Sequence, residues 1–322
     1  MSAIAVVTTE EEVAPKRASA RGARSRGKIA APLLFLTPFL LLFAVFILIP
    51  IGYSIYISLF SVSTSGLGLS GATSQHFVGL HNYGTALTDP AFRSGVLRVL
   101  LFGVVQIPVM LGLALTCALL LDWGRVKLRR FFRLAFFLPY GIPGVLAAIL
   151  WGFLYVPGIS PIVSILGHTP VGQVDFLGQN LALWSIANIV TWEYTGYNML
   201  IIYAALQALP RDLFEAARLD GATDWKVATR VKIPLVFPAL VLTGIFSIIG
   251  TLQLFSEPQV MRALSGTITS TYTPNLMAYT QAFTFDNPNY AAAIAVLLAV
   301  GTFILSFGFL KFTQRRAAAA AA

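Results

Sequence analysis

"PRDLFEAARLDGATDWKVATRVKIP", Pro210 to Pro234, gathers four acids and five bases into 25 residues. The chain around it has 322 residues, of which 57% are hydrophobic and only 11% charged. Long apolar runs flank the stretch on both sides. A charged knot between two such runs fits a loop joining two membrane helices.

The mean hydropathy of +0.78 is too high for an ordinary soluble domain. Uncharged runs extend over Ile29–Thr88, Val99–Leu121, Leu134–Val174, Ile233–Ser256 and Asn287–Leu310. A helix needs about 20 apolar residues to cross a hydrocarbon core of roughly 30 Å. Backbone groups in lipid must bond internally, so helices are the expected spanning form. The alternation that barrel strands need is absent. Six spans are predicted, at 33–58, 94–121, 132–155, 181–207, 235–257 and 289–311. The fourth is interrupted by Glu193. It reads as one helix, because neither half is long enough to cross alone.

Of the 22 Lys and Arg residues, 19 fall on one side if six spans alternate. They lie in the N-terminal segment, the loop after span two, the 210–234 stretch and the C-terminus. Arg93, Arg98 and Arg262 fall on the other side. The positive-inside rule then makes both termini and the 210–234 loop cytoplasmic. The net charge of +9 is a topology signal and requires no nucleic-acid partner. The single cysteine, Cys117, sits inside span two as a small apolar filler. His76, His81 and His168 fall in outside loops without metal-ligand company, so no metal site is expected. The first apolar run is too long for a signal-peptide core and reads as a retained helix.

Residues 1–30 are polar, with an acidic triplet and then a basic run, and are expected to lack structure. Their "GARSRGK" matches a phosphate-binding loop in spacing, but no strand precedes it and Ile29 replaces the required Ser or Thr. Residues 31–313 form the membrane domain, with the charged loop at 207–234, and 314–322 are a C-terminal tail. The outside loop at 59–93 is rich in Gly and Ser and ends in a segment suited to a short surface helix. The outside loops at 156–180 and 258–288 are too short for independent domains.

Within the opening stretch, two short helices are expected. Pro210 suits a first helical position. Asp212 and Glu215 favour a helix N-terminus. Gly221 suits the left-handed position that ends a helix, and Thr223 can cap the next. Phe214, Ala217, Arg218 and Gly221 share a face at spacings of three and four. The small Ala216, Ala217 and Gly221 allow another backbone to approach closely, and Glu215 can offer it a charge. A plain solvated loop would show the same caps. A DNA-binding helix-turn-helix would need a core of its own, which the membrane tethers at both ends preclude.

The pattern Glu215-Ala216-Ala217, then Gly221, then Val231-Lys232-Ile233-Pro234, resembles the cytoplasmic signature of binding-protein-dependent ABC importer permeases. Further segments resemble the carbohydrate branch, the maltose- and glycerol-phosphate-type first permease: "FVGLHNY" (Phe77–Tyr83), "FFLPYGIPGVLAAILWGFLY" (Phe136–Tyr155), "TGYNMLIIYAALQALP" (Thr195–Pro210) and "LQLF" (Leu252–Phe255). The likeness covers residues 32 to 313, and Arg98 stands where many relatives carry a neutral residue. The resemblance implies an all-α, six-span permease of the type I importer class in a prokaryotic inner membrane. It implies ATPase coupling through Glu215, Ala216, Ala217, Asp220, Gly221 and Pro234. It also implies a second, related permease, two ATPase subunits that carry ATP and Mg, and an extracytoplasmic solute-binding protein. The chain would then hold no cofactor and catalyse nothing itself.

A solute path needs polar groups at membrane depth. Glu193, Tyr194, Tyr197 and Asn198 on span four, and Ser247, Gly250, Thr251 and Leu254 on span five, are the candidates. An acid in mid-span costs about 2.5–3.5 kcal/mol on insertion scales. Such residues usually face a bundle interior or a wet cavity. Glu193 lines the path or bonds between helices; the tyrosines bind solute or pack. Gln253 and Glu257 share another face nearer the outer gate. A sugar or oligosaccharide is the expected solute, with a phosphate ester or polyamine as alternatives. A secondary transporter would need ion-coupling groups in matched halves, and the chain has one central acid and no repeat.

Overall fold

The computed structural model describes residues 24–64, 73–123, 126–170 and 172–321. In chain order, α1 (Arg24–Phe43) passes through a π-helical turn (Ala44–Leu48) into α2 (Ile49–Ser58). A hairpin follows, β1 (Phe60–Thr64) and β2 (Thr73–Phe77), then α3 (His81–Thr88) and the long α4 (Pro90–Asp122). Next come α5 (Arg129–Phe137), a tight turn (Leu138–Gly141), α6 (Gly144–Tyr155), α7 (Pro161–Gly167) and α8 (Ala182–Gln207). The charged loop holds α9 (Asp212–Leu219) and α10 (Asp224–Val227), which runs through a π-helical turn (Ala228–Lys232) into α11 (Ile233–Leu252). The chain closes with α12 (Ser256–Met261), α13 (Pro274–Phe283) and α14 (Pro288–Ala321).

Contacts divide the chain into Met1–Tyr53 and Ser54–Ala322. The described residues of the first unit form a helix with Leu34, Phe35, Phe39 and Phe46 exposed, a surface suited to lipid. Its helix begins at Arg24, inside the segment expected to lack structure. The phosphate-loop-like match begins outside the described residues.

Four helices among the described residues are long and apolar enough to cross a membrane: Leu34–Ser58, Pro90–Asp122, Asp224–Met261 and Pro288–Arg315. They coincide with expected spans one, two, five and six. The expected third span, 132–155, is two helical segments bent by 97°. Pro143 supplies no N–H and pushes Ile142 out of the helical region, to φ −87° and ψ 126°. The fourth, α8, has 26 residues, about 39 Å at 1.5 Å per residue, and carries the polar cluster around Glu193.

Three cores hold the second unit. In one, Phe102, Ala147, Ala148, Ile186, Ile189 and Met261 join α4, α6, α8 and α12. In another, Ala114, Ala118, Met199, Ile202 and Val236 join α4, α8 and α11. The third joins α3, α4, α13 and α14 through Ala86, Phe92, Met277 and Ile294. Small residues mark the closest approaches, as expected where lipid gives no hydrophobic drive between helices. A Cβ on Gly196 would run into the Phe136 carbonyl, so α8 and α5 meet backbone to backbone there. Asp89 caps α4, accepting from the Ala91 N–H at 2.8 Å.

The described parts of the loops expected outside hold more secondary structure than the sequence suggests. Within 59–93, β1 and β2 pair antiparallel with Phe60 opposite Phe77. Asn82 donates to the carbonyls of Ser58 and Phe60 at 2.8 Å each. The expected fifth span, 235–257, stops at Leu252 and restarts as α12. Carbonyls freed at this break are taken up by side chains: Thr273 donates to Leu254 and Asn275 to Gln253, each at 3.0 Å. Pro258, in the first turn of α12, could not have donated to Leu254.

Candidate functional site

Two places in the second unit gather the residues singled out from the sequence. The first is the charged loop. Pro210 lies ahead of α9 rather than inside it; the Arg211 carbonyl accepts from the Phe214 and Glu215 N–H groups at 2.9 and 3.2 Å. Asp212 and Glu215 occupy the first turn of α9. Gly221 is left-handed at φ +81°, a conformation that costs a side chain and is free to glycine. Thr223 caps α10 by accepting from the Lys226 N–H.

The face expected to meet a partner is partly turned inward. Phe214 and Ala217 are half-buried, and the Lys232 ammonium lies 4.8 Å from the centre of the Phe214 ring. Lys232 is also ion-paired with Asp122, the last residue of α4. Asp122 accepts a second bond, from Gln207 at the end of α8, at 2.6 Å. Arg218 pairs with Asp224 at 3.1 Å. This knot ties α9 to the ends of α4, α8 and α11. Glu215, Ala216, Asp220, Gly221 and Pro234 are exposed. So are Leu219 (89%) and Trp225 (76%), which the sequence reading passed over; large apolar groups among charges were the available signal.

Beneath Pro234, Ala228–Lys232 is wound as π-helix. The Ile233 N–H reaches back to the Ala228 carbonyl, and α10 runs into α11 as one continuous rod through Pro234.

The second place is a cavity of about 260 Å³ between α4, α8, α11 and α12. Tyr194, Tyr197, Asn198, Ser247, Gly250, Thr251 and Leu254 all line it. Gln106, Gln253 and Glu257 join them. Asn198 donates to the Tyr194 carbonyl at 3.0 Å, and Gln106 approaches Thr191 Oγ1 at 3.4 Å. The Gln106 carbonyl oxygen is buried without a partner. The Tyr140 ring stacks on Tyr197, with centroids 4.5 Å apart, and meets Tyr194 edge-on at 5.6 Å. Tyr140 comes from the break between α5 and α6, so neither helical spacing nor hydropathy could have paired it with α8. Ser247 bonds back to Thr243 on its own helix at 2.8 Å.

Glu193 is the exception. It is 4% exposed, does not line the cavity, and one carboxylate oxygen has no partner. It points to the start of α6, where a Cβ on Gly144 would stand 3.6 Å from Glu193 Oε1 and 3.2 Å from Glu257 Oε1. The two acids flank a helix N-terminus, the end that favours negative charge.

Arg98 is engaged at the far end of α4. It donates to the Tyr272 carbonyl at 2.6 Å, and its guanidinium lies 4.2 Å from the Tyr272 ring centre. Burial pushes the Tyr272 phenol up, and the Arg98 charge offsets part of that rise.

Residues 109–318 match the family described as the binding-protein-dependent transport system inner membrane component. The chain belongs to this family. It is a permease component of the inner membrane, and the catalytic subunits of such transporters are separate chains. It is 33% identical to the lactose transport system permease protein LacF of Rhizobium radiobacter, covering 85% of this chain and 91% of that one. It is 31% identical to the arabinooligosaccharides transport system permease protein AraP of Bacillus subtilis, covering 89% of each. Among solved structures, the permease shares its fold with a chain of a bacterial ABC transporter involved in the import of the acidic polysaccharide alginate. There the TM-score is 0.75 at 17% identity, over 90% of this chain and 96% of that one. A chain of the MetNI methionine ABC transporter gives a TM-score of 0.52 at 18% identity, over 69% and 94%.

Proposed function

We propose that this permease and a second, related one form the translocation path of an ATP-driven importer for neutral sugars or oligosaccharides. Six spans with both termini cytoplasmic are the reading that Lys and Arg placement supports. α8 and the bent α5–α6 pair supply the two crossings beyond the four long apolar helices. An outside binding protein delivers the solute. Two cytosolic ATPase subunits, holding ATP and Mg, grip the 210–234 loop, with Glu215 offered to a basic residue and Leu219 and Trp225 to an apolar cleft. The knot of Asp122, Gln207, Phe214 and Lys232 carries the motion of the loop to three spans at once.

The observation that carries this reading is the cavity. Aromatic rings stack on sugar faces; amides and hydroxyls bond sugar hydroxyls. Its lining has Tyr194, Tyr197, Asn198, Gln106, Ser247 and Thr251 in reach, one acid and no base. That charge pattern favours a neutral saccharide over an acidic one. The saccharide systems named for LacF and AraP point the same way. The test is reconstitution of the four-subunit complex with its binding protein in vesicles, assayed with a panel of labelled saccharides. ATP-dependent uptake of a neutral member is expected. Accumulation by the purified chain alone on an ion gradient would overturn the reading.

A further inference from the structure

We propose that the arginine-lined cavity at the start of α5 binds the headgroup phosphate of an anionic phospholipid in the cytoplasmic leaflet. The inference rests on the orientation given above and goes beyond the transport role. α5 reads "RRFFRLAFF" from Arg129 to Phe137. At about 100° per residue, Arg129, Arg130 and Arg133 fall within one arc of roughly 100°. With Leu121 from α4 and Tyr203 from α8 they line a cavity of about 370 Å³.

Three like charges in one arc repel each other, and they stand at the helix end where the backbone dipole already disfavours cations. Topology alone would be served by arginines spread into water. No acid lines the cavity. The nearby Asp122 carboxylate is taken by Lys232 and Gln207. Arg129 is spent partly on the Trp123 and Val126 carbonyls, at 3.0 and 3.3 Å. Among the described residues, neither Arg130 nor Arg133 makes an ion pair. An anion is the missing complement, and the phenolic Tyr203 can donate to it.

The rest of α5 identifies its source. Phe131 (62% exposed), Phe132, Leu134 and Phe136 stand exposed on the same short helix. Water or a free phosphate leaves those rings uncovered. A phospholipid supplies the phosphate to the arginines and acyl chains to the rings at once. Basic pockets between membrane helices on the cytoplasmic side take anionic headgroups in this way.

The test uses the assembled transporter in nanodiscs of phosphatidylcholine with phosphatidylglycerol. Retained lipids are counted by native mass spectrometry, and a photoreactive phosphatidylglycerol is mapped on the unmodified complex. Crosslinks within 121–137 or at Tyr203 are expected, with phosphatidylglycerol retained over phosphatidylcholine. An R130Q/R133Q variant should lose that preference by about five-fold per arginine. R130K/R133K should keep most of it, and R315Q, outside the cavity lining, all of it. Crosslinks confined elsewhere, unchanged preference in R130Q/R133Q, or ready displacement by inorganic phosphate would each overturn the proposal. So would loss of ATPase-subunit binding in R130Q/R133Q with lipid preference intact, since the arginines would then serve a protein. Lipid retention is read without transport, so failure of the sugar reading leaves this test standing.

Discussion

Lys232, at the root of α11, is ion-paired with Asp122, the last residue of α4, although 110 positions separate them in the chain. Both side chains are largely buried, and the pair stands beside Phe214 of α9. Removing one partner of a buried pair costs about 3–5 kcal/mol. These side chains keep 14% and 12% exposure, so D122A should fall at or below the lower end. Thermal unfolding of the purified complex should register the loss. Transport per ATP hydrolysed should fall further than stability does, and the swap D122K/K232D should restore part of it. A swap no better than D122A would remove the pair from the coupling path.

Glu215 is exposed at the first turn of α9 and makes no described ion pair within the chain. E215K should leave folding and lipid retention intact while abolishing stable association with the ATPase subunits, or uptake, or both. Co-purification and vesicle uptake measure these. Unchanged association and uptake would assign the loop another role.

Gly196 faces the Phe136 carbonyl with no space for a side chain. G196V should therefore force α8 off α5, at a cost of about 3 kcal/mol or more. The expected readout is poor recovery of monodisperse protein from the membrane. G250V, at an open position on the cavity wall, should fold and instead obstruct uptake.

Tyr197 lies between Tyr140 and the cavity. An aromatic pair contributes about 0.5–1.5 kcal/mol beyond its area. Y197A should raise the apparent KM for saccharide uptake by roughly three- to ten-fold, and Y197F should stay within about two-fold. Equal effects of both variants would assign the role to the hydroxyl rather than the ring.

The sequence was informative where hydropathy or a short-range pattern decides the structure. Charge-free runs located the helices at 34–58, 90–122 and 288–315, and Gly221 and Thr223 announced the ends of α9 and the start of α10. Hydropathy is blind to dihedral angles, so the uncharged 134–174 run concealed the 97° bend at Ile142–Pro143 even though the prolines were visible. The break after Leu252 depends on Thr273 and Asn275 accommodating its carbonyls, a relationship no local window contains. Spacings of three and four put Tyr194, Tyr197 and Asn198 on one face of α8. Only packing determines that Ser247, Thr251 and Tyr140 come to meet them while Glu193 turns towards Gly144.

Five π-wound residues beneath Pro234 join the charged loop to α11. A π turn holds about one residue more than an α turn, so excising Thr229 would be taken up by rewinding to 3.6 residues per turn, whereas excising Val241 from the regular part of α11 would swing everything upstream by about 100°. Only the second change would leave a handle clocked away from its shaft, with every contact surface chemically intact.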